Sequence, residues 1–210
     1  MTETSYEARI DQLKKCLPCC GIGVETDKTF VLPGKYLYIG ASKNRTSFLE
    51  FLNPAQTTIL EIYEPNIKNL QSRQEYKDFH FVLGDVRDIE KLFEPKSFSV
   101  VIWYHGPEHV FREDVPKILA NLEWLATDLV IWGCPWGIYE QGCFNGNIHE
   151  SHISALYPED FQTWGYNIDT LWKKDCQGSN ILAWKFLPVA LSTQTPLQWN
   201  WNLNGDLNFH

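Results

Sequence analysis

Two groups of histidines and carboxylates carry the side chains best suited to proton transfer. His105, Glu108 and His109 follow the apolar run Phe98–Tyr104, and His149-Glu150-Ser151-His152 lies in a later segment rich in glycine, asparagine and aromatic residues. Histidine titrates near neutral pH and is the most frequent general base in enzymes. We therefore predict His149, His152 and His105 as catalytic candidates. Hydrogen bonding within a long loop is the alternative role for His149 and His152.

A metal site formed by His105, His109, His149 and His152 is an alternative that no recognised ligand spacing supports. Gly106 and Pro107 separate His105 from His109, so this pair cannot be the two-histidine helix of a metalloprotease. The motif Cys16-x2-Cys19-Cys20 has the spacing of half a zinc site, but no second CxxC follows it. Buried, inert thiols are the simpler interpretation, and we expect no metal.

The elements that must position these residues alternate between strand and helix. Five strand–helix alternations predict a parallel sheet with right-handed crossovers. A short connection then predicts that the last two strands form an antiparallel hairpin. The predicted strands are Tyr36–Gly40, Thr57–Ile62, Phe79–Leu83, Phe98–Tyr104, Leu129–Gly133, Tyr166–Lys173 and Ile181–Leu187. The predicted helices are Tyr6–Leu17, Thr46–Leu52, Asn66–Tyr76, Val86–Phe93, Val115–Leu125 and Pro158–Trp164.

This pattern predicts an α/β fold: a doubly wound, seven-stranded, mostly parallel sheet with a C-terminal antiparallel hairpin and helices on both faces. Residues 1–34 would form an N-terminal helix and lead-in, residues 35–187 the Rossmann-like domain, and residues 188–210 a tail. Residues 134–156 are predicted to be a long active-site loop, because structureless loops of that length inside a compact domain are usually functional.

Four stretches within residues 35–187 together resemble the class I S-adenosylmethionine-dependent methyltransferases. Tyr36–Asn44 resembles the family's first strand and glycine turn, and Ile59–Ile67 resembles its second strand with an acidic residue. Leu83–Val86 resembles the family's Gly-Asp, and Val100–Val110 resembles a strand and loop ending in Glu-His. The first of these stretches departs from the family pattern, with Tyr38 where an acid is usual and Ser42 and Asn44 where glycines are usual.

The resemblance implies S-adenosylmethionine as cofactor and suggests which residues bind it. Glu61 would hold the ribose hydroxyls and Asp85 the adenine amine, and the full predicted set is Gly40, Ala41, Ser42, Glu61, Ile62, Asp85, Val86, Tyr104 and His105. Glu61 has an alternative role as an exposed acid at a helix entry, with Glu64 as the substitute ligand. Asp85 is equally suited to cap the helix that begins at Val86.

The implied activity is methyl transfer from S-adenosylmethionine to a small-molecule acceptor. One alternative is a catalytically silent binding or accessory protein of the same fold. A second is a dinucleotide oxidoreductase, which predicts a purely parallel sheet end in place of the hairpin.

Composition limits the partners and the location. The formal net charge of -8 would repel nucleic-acid phosphates, so we expect no nucleic-acid partner. No apolar run approaches the roughly 18 residues of a membrane span, and residues 1–11 lack the apolar core of a secretory signal. These features predict a cytoplasmic protein without a membrane partner, and they leave its oligomeric state open.

Overall fold

The structure is a computed structural model that describes residues 34–42, 49, 52–144, 146–171 and 179–187. The predicted helix Tyr6–Leu17, the cysteines of the CxxCC motif and the tail 188–210 lie outside the described residues. Most of the predicted helix Thr46–Leu52 lies outside them as well.

Seven strands form one mixed sheet in the order β3-β2-β1-β4-β5-β7-β6. The first five pair in parallel, and β7 is antiparallel to both β5 and β6. The strands are β1 (Tyr36–Ile39), β2 (Thr57–Glu61), β3 (His80–Leu83), β4 (Phe98–Tyr104), β5 (Ala126–Pro135), β6 (Asn167–Leu171) and β7 (Asn180–Phe186). The predicted fold class and hairpin are confirmed, and the purely parallel sheet end expected of a dinucleotide oxidoreductase is absent from these strands.

Strand β1 and the part of β4 from Val100 to Tyr104 are continuously apolar because both faces of the sheet are covered. In β1, Leu37 and Ile39 enter the apolar cluster on one face, whereas Tyr36 and Tyr38 enter the cluster on the other. This two-residue alternation follows from strand geometry. A parallel sheet with two buried faces requires continuous apolar strands, and β1 and this part of β4 have this character.

Within the described ranges, three α-helices pack on the sheet: α1 (Glu64–Gln71), α2 (Val115–Leu125) and α3 (Pro158–Thr163). Each has a proline at one of its first two positions, where the missing N–H costs no hydrogen bond. Helix α2 has the predicted bounds, and its apolar stripe is buried against the sheet, as the spacing of Ile118, Leu119, Leu122 and Leu125 predicts.

Two predicted helices are shorter or tighter than the sequence pattern indicated. The segment Asn66–Tyr76 is not one helix, because α1 ends at Gln71 and a separate 3-10 turn covers Gln74–Tyr76. The hydroxyl of Ser72 donates to the carbonyl of Asn69 (2.7 Å), a local hydrogen bond that competes with helix continuation. The segment after Asp85 is a 3-10 helix, Val86–Lys91, interrupted at Asp88 by non-helical torsions.

The sheet also extends into the segment predicted as a long loop. Strand β5 continues through Cys134 to Pro135, because β7 pairs with it along this stretch. Beyond it, Trp136 and Gly137 form isolated bridges with Leu156, and a 3-10 helix covers Ile148–Glu150. Among the described helices, none has the length and apolar character needed to cross a membrane.

Candidate active site

A cleft lies at the carboxyl ends of β1 to β4, where the strand order places a topological switch between β1 and β4. The wall combines strand-end residues with residues from the 3-10 helix Ile148–Glu150. It includes Ile39, Gly40, Glu61, Ile62, Asp85, Val86, Arg87, Trp103, His105, His109, Asn147, His149 and Glu150.

Gly40 forms the floor of the cleft at the end of β1. Its φ of +85° favours glycine, and its backbone N–H donates to the carbonyl of Leu60 (2.9 Å). A Cβ at this position would meet no atom within 4 Å, so the missing side chain leaves room for a ligand to approach the backbone. Ala41 and Ser42, also predicted to bind cofactor, are buried behind Gly40 and do not line the cleft.

Glu61 is a buried carboxyl group in the cleft wall, with only 5% of its surface exposed. Its Oε1 accepts the backbone N–H of Tyr63 (2.8 Å). Burial raises the pKa of this carboxyl group to about 7, although hydrogen bonds from Tyr63 and Asn66 act in the opposite direction. The alternative of an exposed helix-entry acid is therefore wrong for Glu61. Glu64 is the exposed acid, and it forms an ion pair with Lys68 (3.0 Å).

Asp85 performs the capping role that the sequence left open. One carboxylate oxygen accepts the backbone N–H of Arg87 (2.9 Å), and the Arg87 guanidinium contacts both oxygens. Burial acts to raise the pKa of Asp85, but the hydrogen bonds and charge of Arg87 outweigh it and lower that pKa below its usual value. Asp85 and Val86 both line the cleft, so capping and ligand contact are compatible. Arg87 is a site residue that the sequence analysis missed, although its spacing of two residues from an N-cap was a usable signal.

His105 lies in the cleft wall, with its ring held from two sides. The Asn180 amide donates to Nε2 (2.8 Å) and also to the Tyr104 hydroxyl oxygen (3.1 Å), while Nδ1 lies 3.1 Å from Oε1 of Glu108. A positive φ of 55°, uncommon outside glycine, turns His105 out of the strand direction. Tyr104 is buried in the sheet and reaches this network without lining the cleft. Asn180 enters from β7 and carries no local sequence signal.

The other two predicted catalytic histidines are placed differently from each other. His149 is exposed and lines the cleft, and its backbone N–H donates to the side chain of Asn147 (3.0 Å). His152 does not line the cleft; its ring packs against that of His109, with centroids 4.8 Å apart. His109 and Glu108, which the sequence analysis did not select as site residues, therefore join His152 in a second group beside the cleft.

Neither a protein-family model nor a curated protein matches this sequence. Solved structures do match. A complex of DhpI with SAH aligns with 89% of this chain and 86% of its own length, at 11% identity and a TM-score of 0.57. The 1,6-didemethyltoxoflavin-N1-methyltransferase of Burkholderia thailandensis aligns with 73% of this chain and 71% of its own length, at 14% identity and a TM-score of 0.52.

The CurJ carbon methyltransferase aligns with 74% of this chain, at 16% identity and a TM-score of 0.55, and this chain covers half of the CurJ chain. Together with the strand order and the antiparallel β7, these similarities show that the chain has the class I S-adenosylmethionine-dependent methyltransferase fold. At such identities they establish the fold and not the activity.

The cleft residues fit S-adenosylmethionine on physical grounds. Gly40 leaves room at the backbone, and the Glu61 carboxyl lies at the neighbouring strand end, where it can accept ribose hydroxyls. Asp85 offers a carboxylate at the third strand end. The assignment of individual contacts remains a prediction.

Proposed function

We propose that this protein transfers a methyl group from S-adenosylmethionine to a small-molecule acceptor. The observation that carries the proposal is the placement of Gly40, Glu61 and Asp85 at three successive strand ends around one cleft of the methyltransferase fold. The first supplies space at the backbone, and the other two supply acceptors for hydroxyl and amine hydrogens. This order matches the order in which a nucleoside linked to an amino acid would lie across the sheet edge.

When bound, S-adenosylmethionine supplies a methyl group activated by a sulfonium sulfur. The new bond forms between the acceptor atom and the methyl carbon, the carbon–sulfur bond breaks, and its electron pair remains on sulfur, leaving a thioether. The residues of this chain contribute mainly by positioning, because most of the rate gain in such a displacement comes from proximity and alignment.

A base is required when the acceptor carries a proton that it must lose. His149 is the best-placed candidate, since it is exposed and lines the cleft. His105 is also in the wall, but Asn180 and Glu108 hold its two nitrogens. His152 does not line the cleft and its ring packs against that of His109, so any part in catalysis is indirect.

A small acceptor is favoured over a macromolecular one by the shape and charge of the chain. The cleft is lined in part by Glu150 and by Asp85 paired with Arg87, and the whole sequence carries a net charge of -8. A nucleic-acid acceptor would face this negative charge with its phosphates. The B. thailandensis neighbour was solved with the small molecule 1,6-didemethyltoxoflavin bound, so the fold is compatible with acceptors of that size. The cytoplasmic location predicted from the sequence remains a prediction.

Isothermal titration calorimetry with S-adenosylmethionine and S-adenosylhomocysteine tests the proposal. We expect both to bind with one site per chain. The alternative of a silent protein of this fold splits into two outcomes: binding of both ligands without any methyl transfer to a broad acceptor set, or binding of neither. The absence of binding by either ligand would overturn the proposed function.

Glu61→Ala is expected to weaken binding of S-adenosylmethionine by roughly 5- to 150-fold, equivalent to about 1–3 kcal/mol, because hydrogen bonds to a charged group are lost. Glu64→Ala is the matched control, since Glu64 is exposed and lies only three positions along the chain. We expect its affinity to equal that of the natural chain. Weaker binding in Glu64→Ala together with unchanged binding in Glu61→Ala would assign the ribose contact to Glu64 instead of Glu61.

His149→Ala is expected to lower turnover roughly 100-fold or more, the scale of general-base catalysis, while changing cofactor affinity less than about threefold. The measurement is release of S-adenosylhomocysteine in the presence of an acceptor set, combined with calorimetry. His80→Ala, an exposed histidine on β3 away from the cleft, should retain full activity. We expect His152→Ala to lower turnover more than cofactor affinity as well. Full turnover in both His149→Ala and His152→Ala would remove these residues from the mechanism.

A further inference from the structure

A compact group of possible metal ligands lies beside the cleft. Glu108, His109 and His152 each bring one ligand atom to a common point, with all three atoms within 4.8 Å of one another. Glu108 is buried, with 3% of its side chain exposed, and the side chains of His109 and His152 are 12% and 5% exposed. A carboxylate and two imidazoles in such a shielded position form a structured group and not a chance surface cluster.

The hydrogen bonds of the two histidines fix which nitrogen is available to a cation. Nδ1 of His109 lies 3.1 Å from the carbonyl oxygen of Ser151, and Nδ1 of His152 lies 2.6 Å from that of Tyr139. A carbonyl oxygen only accepts, so both Nδ1 atoms carry the hydrogen. In the neutral imidazole, Nε2 then has the lone pair. Metal-binding histidines are commonly oriented in this way, with the second nitrogen donating to a backbone carbonyl.

The Nε2 atoms are directed towards the same carboxylate oxygen. His109 Nε2 lies 3.9 Å and His152 Nε2 lies 4.0 Å from Oε1 of Glu108. Both distances are too long for a direct hydrogen bond. Metal–ligand bonds of about 2.1 Å place neighbouring ligand atoms roughly 3.0–3.4 Å apart. A bound cation therefore requires these ligand atoms, which lie within 4.8 Å of one another, to approach each other by about 0.5–1.8 Å.

His105 orients the carboxylate within this group. The Asn180 amide donates to His105 Nε2, which leaves the hydrogen on Nδ1, and Nδ1–H donates to Oε1 of Glu108 at 3.1 Å. His105 is thus a positioning residue that would act on the cation through Glu108. A hydrogen-bonded carboxylate of this kind is typical of the supporting shell of metal sites.

We propose that Glu108, His109 and His152 bind one divalent transition-metal ion of the Zn²⁺ class. Two imidazole nitrogens and one carboxylate oxygen are a ligand set that suits Zn²⁺ and its neighbours and leaves further coordination positions for water or substrate. Mg²⁺ prefers oxygen ligands alone and should bind poorly. The sequence does not predict this ligand set, because only the fold of the intervening segment brings His152 to Glu108.

The site borders the cleft, since His109 belongs to both and His105, which contacts Glu108, also lines the cleft. If the proposed function holds, on which this step alone rests, an oxygen of the methyl acceptor occupies an open position on the cation. The cation then makes loss of the acceptor's proton to solvent easier before the oxygen attacks the methyl carbon. Binding of the metal itself does not depend on methyl transfer, so the two proposals can fail separately.

The first test uses the full chain, dialysed against a chelator and then titrated with Zn²⁺ by calorimetry and by metal analysis after gel filtration. We expect one Zn²⁺ per chain from the proposed site, with Mg²⁺ bound at least about 100-fold more weakly. Absence of Zn²⁺ binding, or equal affinity for Mg²⁺, would overturn the proposal. Titration with S-adenosylmethionine in the same metal-free sample reports separately on the proposed function.

The second test assigns the ligands. His109→Ala and His152→Ala should each lower Zn²⁺ affinity at least about 100-fold, while His80→Ala, an exposed histidine outside the group, should leave it unchanged. Cys16→Ser and Cys19→Ser are needed as controls because thiolates also bind zinc. Zn²⁺ binding that survives both histidine substitutions and disappears with the cysteine substitutions would contradict the proposal.

A spectrum of the natural chain loaded with Co²⁺ keeps the test independent of how well the variants fold. We expect absorption typical of nitrogen and oxygen ligands and no thiolate charge-transfer band. A thiolate band as the dominant feature would place the metal at cysteines and overturn the assignment.

Discussion

Glu61→Gln should gain about 2–3 kcal/mol in unfolding free energy relative to the natural chain as the pH rises from 5 to 8. The folded chain keeps the Glu61 proton up to a pKa of about 7, whereas the unfolded chain releases it near 4.5. Between these values the unfolded state binds fewer protons than the folded state. The natural chain therefore loses stability with rising pH, by about 1.4 kcal/mol per pH unit at most. Glutamine has no such proton and keeps a side chain of the same size.

Urea unfolding at pH 5, 6, 7 and 8 measures the difference in unfolding free energy between the natural chain and each variant. Glu64→Gln provides the control for the substitution itself, because Glu64 is exposed and lies three positions along the chain. Subtracting the unfolding free energy of the natural chain from that of the variant at each pH cancels the titration of all other groups. A difference between natural chain and Glu61→Gln that stays constant from pH 5 to 8 would mean that Glu61 is not protonated in the folded state.

The raised pKa of Glu61 also links the ionisation of this carboxyl group to ligand binding in the cleft. A carboxyl group that is costly to ionise when the cleft is empty becomes more favourable to ionise when hydroxyl groups donate to it. The stability lost through this residue is thus linked to the binding role proposed for it. A residue that lowers the stability of the fold but serves ligand binding is expected at a functional site.

The sequence predicted the sheet and the strand-end residues because both depend on short-range patterns. Continuous apolar runs identify strands covered on two faces, and the carboxyl ends of parallel strands meet at one edge. Gly40, Glu61 and Asp85 therefore had to lie near one another once the strands were assigned. The cleft contains all three.

The sequence could not predict the contacts that join distant segments. Asn180 reaches His105 and Tyr104 only because β7 inserts between β5 and β6, and His152 reaches His109 only through the path of the segment after β5. The degree of burial of Glu61, and with it the direction of its pKa, is likewise a property of packing. Ala41 and Ser42 were selected by their neighbours in sequence, yet the turn at Gly40 directs them away from the cleft.

The junction of β4, β5 and β7 gives the other large expected effect. Gly133 lies in β5 between Tyr104 of β4 and Leu182 of β7. A Cβ at Gly133 would lie 2.2 Å from the backbone carbonyl oxygen of Ile181 and 2.8 Å from the Tyr104 ring. The ring can shift, but the carbonyl belongs to a paired strand, so separation of β5 from β7 is the only relief.

We expect Gly133→Ala to lower the free energy of unfolding by about 2–4 kcal/mol, the range of severe overpacking in a core. Gly142→Ala is the matched control, because its Cβ would meet no atom within 4 Å. That change should stay within about 0.5 kcal/mol. Displacement of Tyr104 should also disturb the Asn180–His105 contacts, so Gly133→Ala should weaken Zn²⁺ binding in the fraction that remains folded. Equal stability of the two alanine variants would show that β7 does not pack against β5 as closely as the structure places it.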